Sequence, residues 1–136
     1  MIEVYTGRIT KLNLIKFPER GYLPVFICRY LNPLVGKYKG TQVHCTDLSP
    51  SSDLLFKSKK GEINFEEYTN RYLSEIEKVD VKGIISFYSN LSNSIGAIGV
   101  VLMCYCQDKN KCHRGLLSDY LKDSGILDYK PKELVL

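Results

Sequence analysis

The sequence predicts an α/β fold, a Rossmann-like or flavodoxin-like single domain with a mostly parallel sheet flanked by helices. Two observations carry that expectation. Residues 23–28 (LPVFIC) and 97–104 (AIGVVLMC) are short, almost uninterrupted apolar runs bounded by polar or glycine-containing segments, the pattern of strands covered on both faces in a parallel sheet. Around and between them, apolar residues recur at helical spacing, and such alternation of strand, long connection and helix implies right-handed βαβ crossovers. A chain of 136 residues with 44% hydrophobic and 25% charged residues suits one globular core. No internal repeat or linker divides it, so residues 1–136 are taken as one domain.

The elements follow in order. Residues 2–9 alternate loosely and are rich in β-branched side chains, which predicts a first strand, and residues 11–17 fit a short helix or an arm. The run 23–28 is the second strand and ends in Cys28-Arg29. Residues 30–50 are rich in Gly, Pro, Asn and Thr without a sustained period, the composition of a long loop, and loops of that length in compact domains are often functional. Ser51 or Ser52 caps a short helix through Ser58. Asn64 caps a clearer one, with Glu66 and Glu67 in its first turn and Phe65, Tyr68, Tyr72 and Ile76 on one stripe beside Leu73. Asp80 caps another, in which Val81, Ile84, Ile85, Tyr88 and Leu91 share a face until residues 90–94 break it. The strand 97–104 comes next, then a polar loop over 105–111, then a helix over 113–122 with Leu116, Leu117, Tyr120 and Leu121 on one face, ended by Ser124-Gly125.

Composition excludes several classes. A domain of this length buries roughly two-thirds of its unfolded surface and needs no disulfide or metal to hold together. The five cysteines are odd in number, irregularly spaced and not preceded by a secretory pattern, which predicts a reduced, cytoplasmic protein. No apolar run approaches the ~20 residues that span a bilayer, so no membrane role is expected. The net charge of +4 favours anionic ligands mildly, without demanding nucleic acid. Lys57, Lys59 and Lys60 form the densest basic cluster and read as a solvated loop.

Chemistry concentrates where the second apolar strand ends. In open α/β sheets ligands bind beyond the carboxyl ends of the strands. One such end is Cys28-Arg29; the other is Cys104-Tyr105-Cys106, which leads into Cys112-His113-Arg114 at a helix start. Free backbone N–H groups there, together with His113 and Arg114, make an anion pocket suited to phosphate or carboxylate. Cys112 in that field is expected to have a lowered thiol pKa, and His113 to act as acid, base or phosphate donor. Cys28 and Cys104, within apolar strands, read as small hydrophobes. Zinc competes, because Cys104, Cys106, Cys112 and His113, with His44-Cys45 in reserve, supply enough ligands. The spacing is not a usual knuckle, and adjacent Cys112 and His113 are expected to diverge on a helix, so no metal ligand and no cofactor is assigned. The tyrosine-phosphatase loop fails too, since seven residues separate Cys106 from Arg114 where that loop has five, and neither a Gly-x-Gly-x-x-Gly nor a Walker lysine is present.

A strand ending Leu102-Met103-Cys104, a short charged loop, Cys112-His113-Arg114 and an apolar helix together resemble the domain-of-unknown-function family 488. Ile27-Cys28-Arg29 with Pro33, and Leu48-Ser49-Pro50-Ser51 with Leu54-Leu55, are similar to further segments of that family in the same order, and Tyr68 and Tyr72 sit where an aromatic helix follows. The resemblance implies a compact α/β fold with a pocket built from Arg29 and the Cys-His-Arg turn, with Pro50, Ser51 and Tyr72 as neighbours. It implies no particular reaction. Where the family usually has Ala-Glu after the strand, this chain has Tyr105-Cys106-Gln107, which removes an acidic partner.

The functional expectation is a small enzyme acting on a phosphorylated or nucleotide-like substrate, with Arg29 and Arg114 holding the anion, Ser51 and Tyr72 beside it, His113 transferring a proton and Cys112 as nucleophile. The alternatives are a non-catalytic module for a nucleotide or for nucleic acid, and a structural zinc domain. Tyr30, Tyr38 and Tyr105 are candidate stacking residues.

Overall fold

The computed structural model describes residues 3–32, 35 and 43–135. Five strands form one sheet: β1 (Glu3–Arg8), β2 (Tyr22–Phe26), β3 (Val43–His44), β4 (Gly99–Cys104) and β5 (Lys132–Glu133). They lie in the order β3-β2-β4-β1-β5, and every pairing is parallel. The α/β architecture is therefore the expected one, and β4 stands between the first two strands at the centre. Its six residues are all buried, which is why that run is apolar on both faces. Gly7, opposite Met103, is a glycine for a steric reason: a Cβ there would lie 2.8 Å from Val101 Cγ1 and 3.0 Å from the Phe17 ring.

Among the described residues, helices α1 (Lys11–Glu19), α2 (Ser52–Lys59), α3 (Phe65–Ile76), α4 (Val81–Ser94) and α5 (His113–Asp123) cover the sheet. Side-chain caps set four of their starts. Thr10, Ser51, Asn64 and Asp80 each accept a hydrogen bond from the backbone N–H three residues on, which satisfies a donor that the first helical turn cannot. The Asn64 and Asp80 caps fall where the sequence puts them, and of the two serines it is Ser51 that caps α2. Two differences concern boundaries. Helix α4 runs through residues 90–94, because Asn and Ser there are tolerated on its exposed side while Leu91 and Ser92 face inward. Among the described residues of the long connection over 30–50 are β3 and a 3₁₀ turn, Thr46–Leu48; Pro33 and Tyr38 fall outside the described residues.

Neighbouring strands β2 and β4 send their chains in opposite directions. From the end of β2 the chain passes outward to β3, while from β4 it passes through α5 toward β5 beyond β1. That divergence opens a crevice at the carboxyl edge of the sheet. Past their formal ends the strands stay tied, Ile27 N to Met103 O at 2.9 Å and Ile9 N to Cys104 O at 2.8 Å, so the residues that follow are held in fixed register. No helix among the described residues is long and apolar enough to cross a membrane.

Candidate functional site

A cavity of about 500 Å³ occupies this crevice, a size within the range of small-ligand sites. Its base is Cys28, Cys104, Cys106 and His113; Arg29, Lys59 and Lys111 line it as cations, and no Asp or Glu is among its lining residues. Aromatic rings of Tyr30, Phe65, Tyr68 and Tyr105 form its walls. Phe65, Tyr68 and Tyr72 stack with centroid spacings of 5.7 and 6.3 Å, and Tyr72 meets the His113 ring edge-on at 5.5 Å, so an aromatic column runs from the rim of the cavity to its base. The two loops that flank the opening are bonded to each other: the Tyr105 hydroxyl accepts from Asn32 N at 2.8 Å. Arg29 is anchored by Nε donating to Pro50 O at 3.0 Å.

The turn from β4 to α5 gathers the sulfur chemistry. Cys112 is not inside the helix but caps it, with φ −132° and ψ 149°. That extended conformation turns its side chain back toward the strand end, so Cys112 and His113 converge instead of diverging. The Sγ atoms of Cys104, Cys106 and Cys112 all lie within 4.8 Å of one another, and His113 Nδ1 is 3.7 Å from both Cys104 Sγ and Cys112 Sγ. The ring's orientation is fixed from its far side: Nε2 lies 2.7 Å from Ile27 O, and since a carbonyl only accepts, Nε2 carries the proton and the Nδ1 lone pair faces the sulfurs. Gly115 follows because a Cβ there would fall 2.2 Å from Lys109 O; only glycine lets the 3₁₀ turn Lys109–Lys111 fold over the start of α5.

Electrostatics divide the three sulfurs. Hydrogen bonding to Cys106, then to Cys112, and burial hold the Cys104 thiol far above its ordinary range. The same bonds, donated by Cys104 and Cys112, lower Cys106, aided by His113 and Arg114. Cys112 is pushed up to about 11: its bond with Cys104 lowers it, but the bond to Cys106 and burial together prevail. Within the cluster the thiolate form is favoured most at Cys106, the exposed cysteine, while Cys112, which the helix-start argument puts low, is held up. Burial pushes His113 down to about 4 despite its bond to Ile27 O, so the imidazole is neutral near pH 7.

The structure brings some of the expected site residues together and separates others. Arg29 and His113 line the cavity. Cys112 is 1% exposed and lies behind His113, outside the lining. Arg114 is fully buried and turned away: Nη2 donates to Glu133 Oε2 at 2.7 Å, Nε donates to the same carboxylate, and Nη1 donates to Cys106 O at 2.7 Å. Burial opposes its charge, and the bonds to Glu133 more than restore it. The Ser51 hydroxyl and N–H both donate to the Glu75 carboxylate, and the Tyr72 hydroxyl, wholly buried, donates to Leu48 O at 2.7 Å; neither side chain lines the cavity. His44 bonds Cys28 O through Nε2 at 2.7 Å, apart from the sulfur cluster.

Sequence reasoning missed three contributors. Lys59 belongs to the cluster read as a solvated loop; Lys57 does pair with Asp53 and Lys60 does lie over Phe56, but Lys59 lines the cavity. Lys111 sits in the polar loop with no signal of its own. Glu133 lies on a two-residue strand with no apolar pattern, and only the buried Arg114 reveals its importance.

Among the comparisons with known proteins, a family model described as the active DUF488-N3 subclade matches residues 20–125. Neither the curated proteins nor the solved structures contain a match to the chain.

Proposed function

The chain belongs to the DUF488 family, in the branch described as its active N3 subclade, and from that premise we propose that it is an enzyme acting on a phosphorylated or nucleotide-like substrate in the crevice between β2 and β4. The observation that carries this reading is the lining of the cavity: three cations, no carboxylate, four aromatic rings, and a sulfur–imidazole base. Arg29, Lys59 and Lys111 suit a phosphate, since cations around a low-dielectric wall attract anions strongly. The rings suit a planar base, which stacks on aromatic side chains whatever its sequence identity. Arg29, held by Pro50 O, positions the anion. The reacting group is the Cys104–Cys106–Cys112–His113 cluster, with Cys106 the sulfur that solvent reaches and His113 the neutral base beside it. A branch named active agrees with a catalytic reading.

One observation favours a second reading, the non-catalytic module for a nucleotide or nucleic acid: Cys112 and Arg114, two of the three Cys-His-Arg residues, are buried and do not line the cavity. The test is a thermal-shift screen of wild type and Arg29→Ala against inorganic phosphate, nucleoside monophosphates, sugar phosphates and short oligonucleotides. A ligand present at 100 times its Kd stabilises by about 2.7 kcal/mol, a readily visible rise in Tm, and Arg29→Ala should lose most of it. A ligand bound equally by both proteins, or no ligand among these classes, overturns the anion site. Turnover of the bound ligand, abolished in Cys106→Ala, separates the enzyme from the module.

A further inference from the structure

Three thiols gathered within 4.8 Å of one another, with an imidazole nitrogen beside two of them, are an unusual use of a protein interior. Buried cysteines pack well singly as small hydrophobes, and nothing in packing requires Cys104, Cys106 and Cys112 to share a center within 4.8 Å. Nor does packing require His113 to aim Nδ1 at two of them. We propose that this cluster is a metal centre for zinc or a similarly soft divalent ion, held by the thiolates of Cys104, Cys106 and Cys112, with His113 Nδ1 beside two of them.

The distances fit. A tetrahedral zinc with Zn–S of about 2.3 Å and Zn–N of about 2.0 Å has ligand–ligand edges of about 3.5 to 3.8 Å. His113 Nδ1 is 3.7 Å from Cys104 Sγ and 3.7 Å from Cys112 Sγ. The second sphere fits as well. A ligating histidine usually donates its other N–H to a carbonyl or carboxylate, which fixes the tautomer and aims the free nitrogen at the metal; Ile27 O at 2.7 Å from Nε2 plays that part. Arg114, bonded to Cys106 O, brings positive charge to the backbone that carries one of the thiolates. The ligands come from the end of β4 and the cap of α5, both in fixed register, so the site is preorganised. Among the described residues this is the one group of three or more such side chains that converge. Metal entry displaces the thiol protons to solvent, and Cys106, the exposed member, is the side by which the ion enters.

The inference rests on the reading of the crevice for its place and puts a metal ion, instead of a free thiol and imidazole pair, at the crevice base; the anion site and the metal centre fail separately. Reduced, metal-free full-length protein is titrated with Co²⁺ and then Zn²⁺. One Co²⁺ per chain should bind with the thiolate charge-transfer and intense d–d absorption of a tetrahedral sulfur-rich site, Zn²⁺ should displace it, and Tm should rise with Zn²⁺. Cys106→Ser, a change at an exposed position that leaves the fold intact, should weaken binding roughly tenfold or more and reduce the charge-transfer band. Arg29→Ala should bind metal like wild type. Absence of a 1:1 Co²⁺ complex, an octahedral spectrum, or an affinity unchanged in Cys106→Ser overturns the metal centre. Nucleotide binding by metal-free protein would then leave the crevice reading intact, whereas a metal-loaded protein that ignores every phosphorylated ligand keeps the centre and removes the crevice reading.

Discussion

Replacing Glu133 by alanine should destabilise the protein by about 3 kcal/mol, although the residue lies in a two-residue edge strand. The carboxylate side chain is 19% exposed while its partner Arg114 is 0% exposed, so the change strands a charge that cannot reach water. Breaking a buried ion pair from one side costs about 3 to 5 kcal/mol, and partial exposure of Glu133 puts this pair at the lower end. The guanidinium would keep the Cys106 carbonyl, and Thr6 Oγ1 would lose its acceptor at 2.7 Å. For a domain of this size, about 3 kcal/mol corresponds to a fall in Tm of roughly 10 °C. Urea unfolding followed by circular dichroism at neutral pH measures it directly. The pH dependence supplies a second check. Burial opposes ionisation of Glu133, but the Arg114 and Thr6 bonds prevail and hold its pKa below the ordinary carboxylate value. The native state therefore binds its proton less readily than the unfolded chain, so the contribution is complete above the ordinary carboxylate pKa and disappears as pH falls through the native value. The gap between wild type and Glu133→Gln should accordingly close on acidification. A Glu133→Ala protein within 1 kcal/mol of wild type, or a gap that widens in acid, refutes the assignment of Arg114 to structure.

Two further substitutions probe the surroundings of the site. Tyr72→Phe leaves the Leu48 carbonyl without its buried donor and should cost about 1 to 2 kcal/mol in urea unfolding, with nucleotide affinity unchanged in the same thermal-shift screen because the ring does not line the cavity. Gly115→Ala drives a methyl to within 2.2 Å of Lys109 O, so the turn bearing Lys111 must move; a loss of about 1 to 3 kcal/mol, together with weaker phosphate binding by calorimetry, is expected, and an alanine variant as stable as wild type would mean the turn is not packed on α5.

How far the sequence could be read depended on the range of the interaction responsible. Caps act over three residues, so Ser51, Asn64 and Asp80 were legible from local chemistry alone. The buried strands β2 and β4 were legible because burial on both faces leaves a continuous apolar run. Strand β5 has no such run: Lys132 and Glu133 pair with Tyr5 and Thr6 of the edge-facing side of β1, and what makes Glu133 structural is an arginine 19 positions earlier. The turn at residues 104–114 was located by its residue types, but its geometry was not. Treating Cys112 as helical predicted divergence from His113, whereas the capping residue keeps extended backbone angles and its side chain reaches the opposite way. Lys59 and Lys111 show the same limit, since composition cannot say which lysine of a cluster faces a cavity.

The two arginines that the motif reading treated alike have been given different tasks by their surroundings. Arg29 follows β2 at the mouth of the crevice, anchored through one nitrogen to Pro50 O, and lines the cavity. Arg114 is the second residue of α5, where a cation is disfavoured by the helix dipole, and is retained there by the Glu133 carboxylate. Its remaining bond, to Cys106 O at 2.7 Å, fixes the backbone that carries the exposed sulfur. The edge strand β5 thus reaches the thiol cluster through a single guanidinium: Glu133 holds Arg114, Arg114 holds Cys106 O, and Cys106 lines the crevice. A substitution at Glu133 that preserved the fold at low temperature would still loosen this chain, and the thiol cluster should respond, through faster labelling of Cys104 and Cys112 by a thiol reagent, before the global unfolding transition is reached.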